Sequence, residues 1–542
     1  MKTEFNKKKT ILLLALAMML VMTGCKKDAV DIIFGTGDND KISYRYDDTV
    51  YLPMENIRSL NPLVSKDEDV FFISKLVYNG LFEPNENMEP VPVLASSYYY
   101  EDDGRTLNLQ LRSGVKFSDG SALTGEDVKF SVDAIRYAIK AGQSVYGPCI
   151  AGIKSVQVNK NDAMGLTIKF ASEYNSGIEN LTFPILPAHL FKNAAAVTGS
   201  DKNFKMVGTG PYKEENYREF ATLTLSENEY YFGEKPGNKL VFQILPDRNY
   251  AVNMTQAGDI SMFFGDADEK DSILSRYDLK VKTFLTNKAV AIGFNCSGEK
   301  LAKPQMRQAL AYAIDAKELL KNGFYGNGLQ TDSLFYPGFY GLEDEKDKYP
   351  KNNEKAGYLL KVQGYEDSDG DGFVDKSGEN LTITVLTPSF DEQRVKAAGI
   401  LAGQLKEAGI ATEIVTASQE EFSAKLASRA YDIFLGELTF DEKYDMYSLL
   451  SGYVTGCGYS GEKLLALALE IEKGQDAELR REKIKEFKTV LASELPYYCL
   501  FYKEDACYMS DYFEGKVEPV FHDHLRNSGE WRCKYPENSE AN

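Results

Sequence analysis

The hydrophobic pattern of the C-terminal half alternates between strand and helix periodicity. Leu381–Thr387 is a β-branched, apolar run, typical of a strand that is buried on both faces. Between Arg394 and Gly409, apolar residues recur at helical spacing, and Gly409 suits the left-handed conformation at a helix C-terminus. The pattern continues with a strand at Thr412–Thr416, a helix at Glu421–Ser428 and a strand at Tyr431–Gly436. This order predicts a parallel α/β unit with right-handed crossovers.

The segment after the third predicted strand is rich in carboxylates. Ligands of open α/β sheets bind outside the carboxyl ends of the strands, so Glu437, Asp441 and Asp445 are the candidate ligand-binding residues, and Glu442 is expected on the solvent side. A carboxylate in a water-poor cleft suits an ammonium group, because a charge-assisted hydrogen bond is stronger there. The alternative is structural: Asp441 caps a helix that begins near Glu442, and Asp445 lies in solvent.

Four uncharged polar residues join this candidate site. Asn295 ends a predicted buried strand, so its amide either bonds a ligand carbonyl or completes a turn. Tyr78, Tyr325 and Tyr444 are candidate walls of a ligand cleft, and packing in the hydrophobic core is the alternative for each.

The N-terminus has the pattern of an export signal. Lys7, Lys8 and Lys9 precede an apolar stretch, Ile11–Val21, that is short for a transmembrane span. The following Met22-Thr23-Gly24-Cys25 resembles a bacterial lipobox, which implies cleavage before Cys25 and a lipid on that cysteine. Residues 1–24 are then a signal peptide and residues 25–40 a flexible tether. The alternative is an ordinary secretory signal with an incidental cysteine.

Composition narrows the function classes. A chain of 542 residues is expected to form two or three domains. A formal charge of −19 argues against nucleic acid and against a polybasic membrane-binding surface. The six cysteines after Cys25 show no C-x-x-C spacing, so we interpret them as core thiols or structural disulfides.

One loop matches the first nine positions of a calcium-binding loop. Asp367, Asp369, Asp371 and Asp375 place oxygens at positions 1, 3, 5 and 9, and Phe373 offers its carbonyl at position 7. Position 12 is glycine rather than glutamate, so the motif predicts at most a weak, structural Ca²⁺, with a plain acidic turn as the alternative. His522 and His524 are spaced for one strand face, but no third metal ligand is evident.

Several segments, in order, resemble the family 5 extracellular solute-binding proteins of ABC importers, the peptide-binding type. The matching segments are Leu60-Asn61-Pro62, Tyr78-Asn79-Gly80-Leu81, Leu111–Gly120, Thr124–Val128, Gly208–Tyr212, Phe294-Asn295 and Met306–Asp315. One stretch departs from the pattern. Peptide-binding members carry a tryptophan and an Asp-Tyr-x-x-Pro pattern after the third strand, with an aspartate that holds the peptide amine. Residues 436–441 have neither, so that role passes to Glu437, Asp441 or Asp445, or the ligand differs.

The resemblance implies an α/β fold of two interleaved lobes joined by a hinge, with an extra β-rich subdomain. Lobe I is expected at 41–81, 184–287 and 503–542, the subdomain at 82–183 and lobe II at 288–502. It implies capture of a solute, an oligopeptide above all, and delivery to an ABC permease without chemistry or a required cofactor. The expected form is a lipid-anchored monomer on the outer face of the bacterial plasma membrane.

Three other functions stay open. The same fold suits a non-peptide solute, such as a metal chelate or an oligosaccharide, and it suits a surface sensing lipoprotein. A secreted hydrolase has the least support, because the sequence has no G-x-S-x-G, H-E-x-x-H or glycine-rich phosphate loop.

Overall fold

The computed structural model describes residues 44–101, 103–174, 176–199, 204–343, 347–451, 457–474 and 476–536. The predicted signal peptide, the tether and Cys25 lie outside the described residues. Backbone contacts divide the chain into a terminal unit, Met1–Tyr46 with Lys534–Asn542, and a main unit, Asp47–Cys533. In the terminal unit, the ammonium of Lys534 lies 4.3 Å from the ring centre of Tyr44. Everything below concerns the main unit.

The strands of the described chain have the following bounds: β1 (Tyr44–Asp47), β2 (Thr49–Met54), β3 (Phe82–Pro84), β4 (Pro90–Pro92), β5 (Ala95–Tyr100), β6 (Thr106–Leu111), β7 (Ile153–Asn159), β8 (Asp162–Phe170), β9 (Tyr212–Arg218), β10 (Thr222–Glu227), β11 (Lys239–Ile244), β12 (Met262–Asp266), β13 (Lys280–Phe294), β14 (Gly328–Gln330), β15 (Asp375–Lys376), β16 (Glu379–Asn380), β17 (Thr382–Pro388), β18 (Ala411–Ala417), β19 (Ile433–Thr439), β20 (Tyr497–Met509), β21 (Phe513–Glu514) and β22 (Arg532–Pro536).

The helices are α1 (Glu68–Val77), α2 (Gly125–Lys140), α3 (Gly147–Ile150), α4 (Tyr250–Ala257), α5 (Lys270–Leu274), α6 (Pro304–Ala313), α7 (Ala316–Glu318), α8 (Asn353–Val362), α9 (Glu392–Glu407), α10 (Gln419–Ser428), α11 (Met446–Leu450), α12 (Glu462–Ile471) and α13 (Ala477–Glu494). No helix in the described ranges is long and apolar enough to cross a membrane.

Three sheets organise the main unit, and we name the bodies after them. The lobe I sheet has the order β2-β11-β10-β9, with β2 parallel to β11. The subdomain sheet, β5-β6-β8-β7, is antiparallel throughout. Helix α2 buries its apolar stripe there, and its N-terminus is closed by Asp127, whose carboxylate accepts the backbone N–H of Thr124 at 2.8 Å. The largest sheet, β12-β20-β13-β19-β17-β18, begins with β12 in the range expected for lobe I, and we call its β13-β19-β17-β18 part the lobe II sheet.

Two long antiparallel strands, β13 and β20, connect lobe I with lobe II. At one end of the pair Lys280 lies opposite Met509, and at the other Gly293 lies opposite Tyr497. The register shifts between Leu285 and Ala289, so the pairing is interrupted midway. The boundary expected between residues 287 and 288 lies in this interruption, inside β13. Only the second half of β13 pairs with β19.

The parallel α/β unit predicted from the hydrophobic pattern is present. Strand β17 pairs in parallel with β18 on one side and with β19 on the other, and helices α9 and α10 make the crossovers. Val290, Ile292 and Phe294 contribute to one core, and Ala289 and Ala291 to the other. The sheet is therefore buried on both faces, which explains its uninterrupted apolar strands.

Six cysteines of the described chain are thiols that are not joined in disulfides: Cys149, Cys296, Cys457, Cys499, Cys507 and Cys533. Burial raises the pKa of Cys149 to about 11 and that of Cys296 to about 12. The structure therefore agrees with the interpretation of these cysteines as thiols and not with their interpretation as structural disulfides.

Candidate functional site

A cavity of about 460 Å³ lies where α1, the segment around α3 and the loop after β19 meet. These pieces belong to lobe I, the subdomain and lobe II, and the segment Phe521–Asp523 closes one side. Its lining includes seven carboxylates and three lysines: Asp67, Glu68, Glu83, Glu179, Asp441, Glu442 and Asp523, with Lys66, Lys75 and Lys443. The cavity is therefore strongly acidic.

One ion pair joins opposite walls of this cavity. Lys75 Nζ, on α1, lies 3.2 Å from Glu442 Oε1 in the loop after β19. Burial alone would lower the pKa of Lys75, but the carboxylates of Glu442, Asp523 and Glu83 raise it. The expectation that Glu442 faces solvent is wrong. Its partner lies 367 residues away in the chain, beyond the reach of any local pattern.

Glu83, Asp441 and Asp523 are among the lining carboxylates that form no ion pair within 4 Å with any described residue. Loss of solvation raises the pKa of each of them. Glu83 accepts a hydrogen bond from Asn79 Nδ2 at 3.0 Å, and Asp523 accepts one from the backbone N–H of Leu525 at 3.2 Å. Lys75 and Lys443 act on these carboxylates only at longer range, so a cation that enters the cavity can still make the first direct ion pair with them.

Asp441 is the predicted residue that the structure places most directly at the cavity. The backbone N–H groups of Lys443 and Tyr444 both donate to its Oδ1, each at 3.0 Å. No described residue donates to its Oδ2. The fold thus fixes the orientation of the carboxylate through one oxygen and leaves the other available for a ligand.

Asp445 serves a helix rather than the main cavity. It is the N-cap of α11, and it accepts hydrogen bonds from the backbone N–H of Ser448 at 2.9 Å and from its hydroxyl at 2.6 Å. The helix cap therefore falls on Asp445, not on Asp441 as the structural alternative had it. Asp445 also lines a neighbouring cavity of about 200 Å³.

That smaller cavity shares Asp441 and Glu442 with the larger one, and its lining includes two further ionisable groups, the buried Arg480 and the half-buried Glu472. The guanidinium of Arg480 lies 2.6 Å from Glu179 and 2.9 Å from the hydroxyl of Tyr340, and only 6% of the Arg480 side chain is exposed. Loss of solvation and the charge of Asp445 raise the pKa of Glu472 to about 8. Glu472 is thus largely protonated at neutral pH.

Glu437 lies inside β19 and does not line either cavity. Its carboxylate is 3.5 Å from Lys503 Nζ, which is in turn 4.0 Å from Asp268. Gln393, at the start of α9, donates to the same Asp268 at 2.7 Å. Glu437 therefore belongs to a network at the edge of the lobe II sheet. The strand continues to Thr439, three residues beyond the predicted end.

Asn295 lies at the opposite edge of the sheet from the cavity. Because β13 and β19 are antiparallel, Phe294 is opposite Ile433 at the amino end of β19, about 20 Å from its carboxyl end. The amide of Asn295 donates to the carbonyls of Arg429 and Tyr431 at 3.2 and 3.0 Å. Its role in this structure is to close a turn.

The three candidate tyrosines lie in three different environments. Tyr78, at the end of α1, is buried and lines the main cavity. Tyr444 packs in the lobe II core instead, where its ring stacks on Phe440 with 4.8 Å between centroids. Tyr325 is 62% exposed, and Lys396 lies 5.3 Å from its ring centre. We therefore retain only Tyr78 for the proposed site.

Sequence reasoning missed Lys75, Glu83 and Asp523. Their one sequence signal is the run from Tyr78 to Leu81. A Cβ at Gly80 would lie 2.8 Å from the carbonyl oxygen of Phe82, so only glycine permits the close packing that turns the chain toward Glu83. Asp523 comes from the far end of the chain, and nothing in its neighbourhood marks it.

The calcium-like loop brings three predicted residues together. One carboxylate oxygen each from Asp367, Asp369 and Asp371 lies within 4.8 Å of the others, and all three residues are exposed. Asp375 is buried, and it accepts hydrogen bonds from the N–H and hydroxyl of Ser368 at 2.8 and 2.7 Å, which hold the pKa of its carboxyl below the usual range. Phe373 is half-buried. Three of the predicted oxygen positions thus face a common point.

His522 and His524 do not form a pair. The ring of His524 stacks on Phe72 with 3.9 Å between centroids, whereas His522 Nε2 lies 3.3 Å from the carbonyl oxygen of Pro84. Burial lowers the pKa of His522 to about 4 and that of His524 to about 3, so both are neutral at physiological pH.

Comparison with known proteins identifies the family. The model of the bacterial extracellular solute-binding proteins, family 5 (middle), matches residues 89–461. The chain is 26% identical over 471 residues to the oligopeptide-binding protein AppA of Bacillus subtilis (strain 168), covering 84% of this chain and 86% of that protein. It is 25% identical over 413 residues to the nickel-binding periplasmic protein of Escherichia coli (strain K12), covering 73% and 76%.

A solved structure agrees in fold. The ABC transporter substrate-binding protein CtaP of Listeria monocytogenes matches with a TM-score of 0.71 at 23% identity, covering 90% of this chain and 100% of that one. The α/β lobes described above are thus those of a periplasmic-binding-protein fold. The chain belongs to the family 5 bacterial extracellular solute-binding proteins, receptors that bind peptides or other solutes and work with ABC permeases.

Proposed function

We propose that this chain captures an oligopeptide between its two lobes and releases it to the permease of an ABC importer. The observation that carries the proposal is the acidic cavity between α1 and the loop after β19, where three carboxylates with raised pKa lack an ion pair in the described chain. An oligopeptide-binding relative supports the ligand class.

Asp441 is the proposed anchor of the peptide ammonium. Its Oδ1 is held by two backbone N–H groups, and its Oδ2 has no donor among the described residues. Glu83 and Asp523 add negative potential from the opposite wall. We place the anchor at Asp441 rather than Glu437, because Glu437 is engaged with Lys503 and does not line the cavity.

Capture requires the lobes to close around the ligand. We propose that the interrupted stretch of β13, between Leu285 and Ala289, absorbs this motion, and that binding shifts the population toward the closed form. The pair Lys75–Glu442 joins the two walls of the cavity in this structure. The ligand undergoes no chemistry, so a peptide recovered after denaturation should have the mass of the peptide supplied.

The test is native mass spectrometry of the full chain purified from rich medium, followed by calorimetry with the peptides that co-purify. Peptides with a free amine are expected. Recovery of a sugar or of an amine-free solute would contradict the proposal. Recovery of a metal chelate would favour a second candidate, which the nickel-binding relative and the unpartnered ring nitrogen of His522 in the cavity lining support.

The proposed location is the outer face of the bacterial plasma membrane, with a lipid on Cys25 and a monomeric protein. Cys25→Ser should yield a protein that is unprocessed or released, because the thioether carries the acyl chains. Membrane fractionation and intact mass measure this. A mutant with unchanged mass and partitioning would contradict the anchor. Sedimentation of the detergent-solubilised chain tests the monomer.

A further inference from the structure

A second cavity in lobe I, of about 290 Å³, extends the ligand cleft; we call it the lobe I chamber. Glu68 and Phe72, both on α1, line this chamber as well as the main cavity. The two cavities therefore adjoin at these two residues. Nothing in the proposed capture of the ammonium uses this space.

One wall of the chamber is aromatic. His524 stacks on Phe72 at 3.9 Å and on Phe264 at 4.9 Å between ring centroids. Burial lowers the pKa of His524 to about 3, so the ring is neutral and offers no positive charge. Flat, uncharged rings of this kind are favourable contacts for an alkyl chain and for a cation.

The lining of the chamber also includes two carboxylates that face each other across neighbouring strands. Asp266 on β12 lies directly across from Asp505 on β20. Like charges in this position destabilise an antiparallel pair. Neither carboxylate forms an ion pair within 4 Å with any residue that the structure describes. Loss of solvation raises the pKa of Asp505 to about 6; the charge of Lys288 opposes this shift, and that of Asp266 reinforces it.

The remaining charged groups of the chamber do not neutralise this pair. Arg248 is committed to Asp69 at 3.0 Å and to Glu55 at 2.8 Å. Lys288 faces three carboxylates, Glu68, Asp266 and Asp505, so the chamber keeps an excess of negative charge. A chamber that is lined by this carboxylate pair and by aromatic rings is matched to a ligand group that is both apolar and cationic.

We propose that the lobe I chamber is a specificity pocket for a cationic side chain with an apolar stem, the lysine or arginine side chain of the bound peptide. In this pocket the cationic group of the ligand side chain contacts the carboxylates of Asp505 and Asp266. Its alkyl stem packs on the rings of Phe72, His524 and Phe264. A bare metal ion would leave the aromatic wall unused. The proposal rests on the proposed peptide-binding function and names the preferred class of peptide.

Calorimetry on the full chain tests the pocket with four tripeptides: Ala-Lys-Ala, Ala-Ala-Lys and the two analogues in which norleucine replaces lysine. Norleucine keeps the stem and removes the charge. The lysine peptide should bind at least about tenfold more tightly than its norleucine analogue at one of the two positions, as a charge-assisted hydrogen bond predicts. Asp505→Asn and Asp266→Asn should abolish this preference, whereas Asp259→Asn, an exposed aspartate outside both cavities, should retain it.

A second probe separates the pocket from the peptide-binding function. Butylguanidinium, followed by saturation-transfer NMR, should bind the wild type and not Asp505→Asn, and thermal melting should show that the variant is folded. Peptide binding with equal affinity for lysine and norleucine at both positions overturns the pocket and leaves the receptor intact. Butylguanidinium binding without any peptide binding overturns the peptide receptor and supports the pocket. Binding of neither probe overturns both.

Discussion

Two acidic segments of lobe II, residues 367–375 and residues 437–445, have similar compositions and very different surroundings. In the first, Asp367, Asp369 and Asp371 are exposed, and backbone N–H groups of the same loop donate to them. In the second, Asp441 and Glu442 meet α1 and the subdomain across a cavity. The carboxylates of the first segment are bound by their own loop, whereas those of the second face residues from distant parts of the chain.

The difference appears in the proton affinities. Loss of solvation in the cleft raises the pKa of Asp441, and the neighbouring Asp445 adds to the effect. In the calcium-like loop, hydrogen bonds from Ser368 hold the pKa of Asp375 below the usual range. Asp441 keeps one carboxylate oxygen without a donor among the described residues and is therefore available to a cationic ligand, whereas the carboxylates of the calcium-like loop accept hydrogen bonds within their own loop and fold with or without one.

The largest expected effect is at Asp441. Asp441→Asn should weaken the binding of a free-amine peptide by about 2–5 kcal/mol, because the ammonium loses a charge-assisted hydrogen bond in a poorly solvated site. N-acetylation of the peptide should have a similar effect, and the two changes together should be less than additive. Calorimetry on both proteins and both peptides measures the cycle.

Glu437→Gln is the matched control, because Glu437 lies in the same acidic segment but pairs with Lys503 outside the cavity. It should change peptide affinity much less than Asp441→Asn. If Glu437→Gln proves the more damaging change, the anchor lies on the edge of the sheet and the contrast between the two acidic segments fails.

Local periodicity was enough to predict the lobe II unit, since each of its elements has a strong apolar pattern of its own. Strand β13 shows the limit of this approach. Its buried half, from Val290, was predicted, but its first half, from Lys280, alternates polar and apolar residues on a partly exposed ribbon and was not. The predicted helix at 421–428 begins at Gln419 because Ser418 caps it.

The candidate site was predictable only where one segment supplies it. Asp441 was found because it follows a strand at the carboxyl edge of a parallel sheet. Glu442 was assigned to solvent because its neighbours in sequence are polar, yet Lys75, far away in the chain, draws it into the cavity. Asn295 stayed open between a ligand contact and a turn, because sequence does not reveal that β13 runs antiparallel to β19.

The pH dependence of the free energy of unfolding tests how strongly the fold shields Glu472, in the cavity beside residues 437–445, from water. An unfolded glutamate ionises near pH 4, but the native pKa of about 8 keeps this proton on the folded protein. Between these values the native state binds more protons than the unfolded state, so the free energy of unfolding falls as the pH rises. Glu472→Gln should remove about 1–3 kcal/mol of this decline between pH 5 and 8, allowing for partial solvent access.

Urea denaturation at the two pH values gives that difference, with Glu462→Gln, an exposed glutamate at the start of α12, as the control. The control should keep the decline of the wild type. Identical pH dependence in wild type and Glu472→Gln would show that the second cavity is well solvated and resembles the calcium-like loop.

The pH dependence of binding distinguishes the two segments by the proton affinity of their carboxylates. Peptide affinity should fall on acidification, because Glu83, Asp441 and Asp523 have raised pKa values and lose their charge early. It should also fall above about pH 8, where the peptide amine loses its proton, by up to about tenfold per pH unit on each side. Asp441→Asn should flatten the acid side. If peptide affinity falls only at the pH where an ordinary aspartate is protonated, the carboxylates of the cleft are in contact with water.

The smallest expected effect concerns the loop at residues 367–375. Asp367, Asp369 and Asp371 converge on a common point, but Asp375 is turned to Ser368 and position 12 is glycine, so any Ca²⁺ there has few protein ligands. We expect added Ca²⁺ to raise the melting temperature slightly and EDTA to reverse it, with a stabilisation of about 1–2 kcal/mol at a calcium concentration well above Kd.

Asp369→Ala and Asp371→Ala should abolish this response, whereas Asp511→Ala, an exposed aspartate far along the chain, should preserve it. Because these carboxylates are exposed and line neither cavity, the variants should fold and bind peptide normally. A wild type whose melting temperature ignores calcium would make the loop an acidic turn, and a peptide affinity that follows calcium would mean that the two acidic segments are coupled.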